Sequence, residues 1–151
     1  MTIYVSVVID APPAAVWAVV ERIERHGDWM ADADEIRFET NQERGAGTRI
    51  AVDTRIGPFR ITDHMIVVDW IDEAVISVEH TGYVTGMGQF TLDRSVDGGT
   101  LFAWEEDLHL PWWLGGRVGD LVSAPILKWV WRHNLQRLKA QVEARRPADA
   151  G

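Results

Sequence analysis

The chain opens on alternation: Ile3, Val5, Val7 and Ile9 are apolar, while Tyr4, Ser6 and Asp10 are not. A period of two predicts a strand with one buried face, and Val8 is the single departure from it. Ala11-Pro12-Pro13-Ala14-Ala15 follows at once and predicts a helix start. Proline suits the first helical turn, where N–H groups have no intrahelical acceptor, and Asp10 is the expected cap. Val16, Val19, Val20 and Ile23 continue as one helical stripe, His26-Gly27 is the expected stop, and Asp28-Trp29-Met30 reads as a short second helical turn. Strand patterns then recur over residues 35–40, 48–56, 59–70, 74–80, 84–95 and 100–110. Short turns such as Gly57-Pro58 and Asp97-Gly98-Gly99 predict antiparallel hairpins. The chain ends on a long helix reaching about residue 145, with Leu127, Trp131, Leu135, Leu138 and Val142 as its buried stripe. A restart is expected near Ser123-Ala124-Pro125, because proline breaks or kinks a helix interior. These elements predict an α+β protein: a curved antiparallel sheet of about seven strands, two short helices after the first strand, and a long C-terminal helix gripped by the sheet around a cavity.

Alternation also assigns faces. In the fourth strand Asp63 and Asp69 mark the wet side, which turns Arg60, Thr62, His64, Ile66, Val68 and Trp70 inward. In the fifth strand Ile76, Val78 and His80 face inward, with Ser77 and Glu79 outward. The short turn between these strands then pairs Val68 with Ile76 and Ile66 with Val78, and sets His64 opposite His80. A slip of one residue would move every side chain to the other face. The inner sets elsewhere are Ile50, Val52 and Thr54; Phe90 and Leu92; and Phe102, Trp104, Glu106 and Leu108. The expected cup has apolar walls, chiefly Trp70, Phe90, Phe102 and Trp104, interrupted by Thr54, Arg60, His64, His80 and Glu106. This is the make-up of a small-molecule site. Val52, Thr54, Arg60, His64, Ile66, Trp70, Val78, His80, Phe90, Phe102, Trp104, Glu106, Leu108 and Trp131 are its expected ligand-binding residues.

Composition narrows the function classes. The 151 residues suit one domain, expected over 1–146 with a disordered tail at 147–151. With no cysteine, a disulfide framework, a thiolate metal site and a thiol nucleophile are excluded. The net charge of -8 disfavours nucleic acid, whose phosphates would be repelled. No apolar run approaches the roughly 18 residues of a membrane span, and the N-terminus lacks the pattern of a signal peptide, so a cytoplasmic protein is expected. Eight tryptophans are many for this length, and large rings serve both cores and pockets. Trp129 falls opposite the buried stripe of the last helix, where the 112–122 segment is expected to fold over it. Trp112-Trp113-Leu114-Gly115-Gly116 suits a flexible mouth to the cavity.

His64, His80 and Glu106 are the candidate catalytic residues. Imidazole titrates near neutrality and serves in proton transfer, and a carboxyl group in apolar surroundings has its charged form disfavoured. The alternative for the histidines is a rim position bonded to water or a neighbour. For Glu106 it is a solvated acidic run with Glu105 and Asp107, or a pair with Arg60. No third ligand accompanies the histidines, so no metal is expected, and nothing calls for a cofactor. There is no nucleophile elbow, phosphate loop or zinc helix. Gly86-x-Gly88 lies within a strand and reads as a bend or bulge.

The strand-Ala11-Pro12-x-x-Val-Trp entry is followed by His26-Gly27-Asp28-Trp29, Gly45-x-Gly47-Thr48 and Gly99-Thr100-x-Phe102-x-Trp104-x-Glu106. In that order, and with the element sequence above, the chain resembles the START-like, Bet v 1-like (SRPBCC) superfamily, most closely its bacterial polyketide cyclase/dehydrase-like members. The resemblance spans nearly the whole chain and implies a helix-grip fold. It also implies one of several functions: carriage of a polyketide-, aromatic- or lipid-like molecule, cyclisation or dehydration of a polyketide with cavity His or Glu as acid/base, or a protein-interaction or antitoxin-like role. The expected partner is a small hydrophobic ligand, with the protein a monomer or homodimer.

Overall fold

The computed structural model describes residues 1–145, so the expected tail at 147–151 lies outside the described residues. Strand β1 (Thr2–Ile9) alternates as its sequence does, with Ile3, Val5, Val7 and Ile9 buried. The cap position of helix α1 (Pro13–Val20) is Pro12, two residues beyond the expected Asp10. α1 also ends sooner than expected. A 3₁₀ helix, Ile23–Asp28, takes up His26 and Gly27, in place of a stop there and a further turn after it. Six strands follow: β2 (Ala33–Phe38), β3 (Arg49–Ile56), β4 (Phe59–Ile71), β5 (Val75–Thr81), β6 (Thr85–Arg94) and β7 (Thr100–His109). A second 3₁₀ turn, Trp112–Leu114, leads into helix α2 (Gly116–Ala144).

All neighbouring strands pair antiparallel in the order β1-β7-β6-β5-β4-β3-β2, so β1 closes onto the last strand while β2 forms the far edge. Helix α2 lies across the concave face. Its second half anchors on β1 and the core through Trp131, Leu135, Leu138 and Val142, as the stripe predicts. The expected restart at Pro125 is not found: α2 is one helix with Pro125 inside it.

The faces of β5, β6 and β7 are as the alternation predicts, and β4 is not. β4 pairs Met65 with His80 and Val67 with Val78, then slips between Val67 and Asp69 before Trp70 meets Ile76. That bulge carries an extra residue and reverses the face on either side of it. Trp70 keeps its inward phase and packs edge-on against Trp17 at 5.3 Å. Before the bulge the inward residues are Ile61, Asp63 and Met65, not Thr62, His64 and Ile66. His64 is thus on the outer face, bonded through Nδ1 to Glu39 at 3.0 Å.

Candidate functional site: an apolar cavity with an acid–imidazole floor

Between the sheet and the first half of α2 lies a cavity of about 560 Å³. This falls within the ~300–1,000 Å³ typical of small-molecule sites. Its walls come from every strand except β1, with Val52, Val78, Phe90, Trp104 and Leu108 from the sheet and Leu127 and Trp131 from α2. Thr54 and Arg60 also line it, Arg60 as an exposed residue at the β3–β4 end. Four of the expected ligand contacts lie elsewhere, and two of them were to form the aromatic wall. His64 and Ile66 are turned away by the β4 phase, and Trp70 packs on Trp17. Phe102 faces inward but is fully buried behind the wall, against Phe90 at 5.3 Å and Trp29 at 6.3 Å.

The floor is polar and continuous. His80, buried on β5, donates from Nδ1 to Asp63 on β4 at 2.9 Å and from Nε2 to Glu106 on β7 at 2.9 Å. The second oxygen of Glu106 accepts from Trp104 Nε1 at 2.9 Å. Burial opposes charge on the imidazole, but the hydrogen bonds and charges of the two carboxyl groups outweigh it, and the His80 pKa is pushed up to about 10. His80 is therefore an imidazolium at neutral pH, with both N–H groups engaged. Asp63, expected on the wet face, is the group sequence reasoning missed; its signal was a carboxylate on a strand adjacent to an inward histidine. Glu106 reaches His80 diagonally across β6. Gly88 makes that reach possible, because a Cβ there would collide with Glu106 Oε2. The role of this glycine is clearance for a carboxylate, not a bend.

A second buried carboxyl group, Asp32, accepts from Asn134 Nδ2 at 2.7 Å and Trp131 Nε1 at 3.2 Å, tying α2 to the segment before β2. The indoles of Trp104 and Trp131 stack at 4.5 Å and 18°. Each of the stacked rings thus points its N–H at a different buried carboxyl group. His26 also lines the cavity; its Nε2 donates to the Val20 carbonyl at 2.7 Å, and burial holds its pKa below the usual range. Among the described residues, no cluster of three or more His, Cys, Asp or Glu could hold a metal ion. Around His80 the carboxyl groups flank the ring from opposite nitrogens instead of converging on one point.

Around the start of α2, Trp113, Leu114, Gly115 and Val118 line the cavity, and Trp112 is exposed. Trp129 is 63% exposed and lies tilted against His133 at 4.3 Å, so the 112–122 segment does not fold over it as expected.

A curved seven-stranded antiparallel sheet closed by a long C-terminal helix over an apolar cavity defines a START-like, helix-grip fold. The chain belongs to the family described as "Polyketide cyclase / dehydrase and lipid transport", whose sequence model matches residues 1–143. Solved structures share the fold at low identity. TTHA0849 from Thermus thermophilus superposes with a TM-score of 0.80 at 16% identity, covering 95% of this chain and 98% of that one. The Zhui aromatase/cyclase from Streptomyces sp. R1128 gives 0.72 at 16% identity over 100% of this chain and 98% of its own. A START superfamily protein from Mycobacterium smegmatis gives 0.69 at 15% identity, over 95% and 97%. No protein with a curated description matches the sequence. Among the described residues, no helix is long and apolar enough to cross a membrane.

Proposed function

We propose that the chain binds a small hydrophobic molecule in the cavity between its sheet and α2, as a carrier or binding module. The observation that supports this most is the cavity itself: about 560 Å³, walled by apolar and aromatic side chains, with its polar groups confined to a few positions. The bonding of His80 counts against that residue as a general base. A general base needs a free lone pair within reach of the substrate, and both nitrogens of His80 already donate to carboxyl groups.

A polyketide cyclase- or dehydratase-type enzyme is the second reading. It draws support from the titratable Asp63–His80–Glu106 chain at an apolar cavity and from the likeness in fold to an aromatase/cyclase. Glu106 and His80 are the acid/base candidates that remain for it, since His64 lies on the outer face.

The test is native mass spectrometry of protein from its own host, paired with titration of the neutral fluorophore N-phenyl-1-naphthylamine. Retention of an apolar adduct, or saturable fluorophore binding lost in a cavity-filling Val78→Trp variant, is the expected result. Folded protein that carries no adduct and binds no fluorophore would remove the reading. Turnover is judged on any adduct found: a binder keeps it unchanged, whereas an enzyme converts it and loses about 100-fold or more in rate in Glu106→Gln or His80→Ala.

A further inference from the structure

We infer that the cavity selects apolar molecules that bring a hydroxyl or ammonium group to the Asp63 side of its floor, and discriminates against those that bring a carboxylate. The inference rests on the cavity being the binding site and adds the polarity of what it accepts.

It follows from counting which buried hydrogen-bonding capacity around the cavity is already used. Trp104 Nε1–H is engaged by Glu106 and Trp131 Nε1–H by Asp32. Both N–H groups of His80 are engaged by Asp63 and Glu106. The single N–H of neutral His26 is engaged by the Val20 carbonyl, which fixes the proton on Nε2 because a carbonyl only accepts. The buried side-chain donors lining the cavity are therefore spent, and the amide of Gln89 and the indole N–H of Trp113 belong to exposed residues. Trp29, whose buried Nε1 has no partner among the described residues, packs against Phe90, Phe102 and Trp104 and does not line the cavity.

Acceptors are in surplus. A carboxyl group offers about four lone-pair sites. Asp63 uses its oxygens on one ring nitrogen, Glu106 has two partners, and Asp32 has two. His26 Nδ1 is a bare acceptor with no partner among the described residues. Thr54 and Ser123 hydroxyls line the cavity and serve in either sense. Charge points the same way: two carboxyl groups share one imidazolium, and the Asp32 side chain is bonded to neutral Trp131 and Asn134. Besides the His80 imidazolium, the cation lining the cavity among the described residues is Arg60, at the exposed end of the β3–β4 hairpin.

A ligand hydroxyl or ammonium can thus donate to Asp63, the least covered member of the floor, with a side chain 14% exposed against 4% for His80 and 9% for Glu106. A ligand carboxylate would be desolvated beside like charge with no buried donor left to receive it, the combination that makes an interior charge costly.

The experiment compares 1-decanol, decylammonium and decanoate at pH 7.5, each displacing N-phenyl-1-naphthylamine from the intact chain. Decanol and decylammonium are expected to displace it at concentrations at least about 10-fold lower than decanoate, a difference of about 1.4 kcal/mol. Asp63→Asn, which adds a donor and removes a charge, should narrow that gap by improving decanoate. Equal displacement by decanol and decanoate from the wild type overturns the selectivity while leaving the cavity reading intact. A fluorophore that never binds folded protein overturns both. The wild-type comparison decides the matter alone where Asp63→Asn fails to fold.

Discussion

His80 carries more of the local electrostatics than any other residue. Its folded pKa of about 10 stands well above the ordinary 6.5. A raised value means that the folded state holds the proton more tightly, so the stabilisation is fully present below pH 6.5 and is lost as pH rises through about 10. His26 has the opposite sign: its lowered value gives a contribution present above 6.5 that is lost as pH falls through the folded value. Urea denaturation of the wild type is therefore expected to show stability falling between pH 7 and about 10. In His80→Gln that fall should be absent or much reduced, while the loss on the acid side persists. His80→Ala leaves Asp63 and Glu106 buried without their cation and should cost about 3–5 kcal/mol at pH 7. A wild type equally stable at both alkaline and neutral pH would show that the imidazolium is not held as the geometry implies.

At the scale of elements, β6 shows how a strand makes room for chemistry on its neighbour. Gly86 and Gly88 sit on the inward face and differ in what they clear. A Cβ on Gly86 would collide with the Asp107 carbonyl, and its φ of +130° is unfavourable to any other residue. A Cβ on Gly88 would meet the Glu106 carboxyl group, the free end of a flexible side chain. Gly86→Ala should therefore unfold the protein or shift the β6–β7 register, whereas Gly88→Ala should fold and push Glu106 off His80. Imidazole titration by NMR checks this: His80 in Gly88→Ala should titrate well below its wild-type value, by at least about one pH unit, the loss of one charge-assisted hydrogen bond. An unchanged titration would mean that Glu106 contributes little. These two glycines also show the limit of what sequence reveals. Alternation gave the faces of β1, β5, β6 and β7, because in each the apolar residues concentrate in one phase. β4 is apolar in both phases of the alternation, through Ile61, Met65 and Val67 in one and Ile66, Val68 and Trp70 in the other. The phase taken from Asp63 and Asp69 as wet-face markers was therefore carried unbroken through an invisible bulge, which exchanged His64 for Asp63. His80 and Glu106 were legible as inward polar groups. Their bond was not, because it depends on a diagonal reach over Gly88. Pro125 misled for a related reason: in the sequence it signals a restart, yet α2 carries it within 29 residues of unbroken helix.

The molecule as a whole divides into an anchored part and an unfinished one. The second half of α2 is fixed to β1 and the core through Trp131, Leu135, Leu138 and Val142. The first half covers the cavity without being buried by it: Val118, Val122 and Ile126 all line the cavity while remaining 71%, 61% and 49% exposed. Apolar area left wet forgoes ~25 cal/mol per Å², so an occupant that covers these side chains from within is bound partly by completing the core. Binding to the folded state alone stabilises it by about 2.7 kcal/mol at a ligand concentration 100 times Kd, which for a chain of this size raises Tm by roughly 5–10 °C. The gain should be uneven. In amide hydrogen exchange with 1-decanol bound, protection is expected to rise in residues 116–127, where the helix lines the cavity. It should change little in 131–144, which are already packed. Protection that rises uniformly along α2, or only in its C-terminal half, would place the ligand elsewhere than beneath the first half of α2.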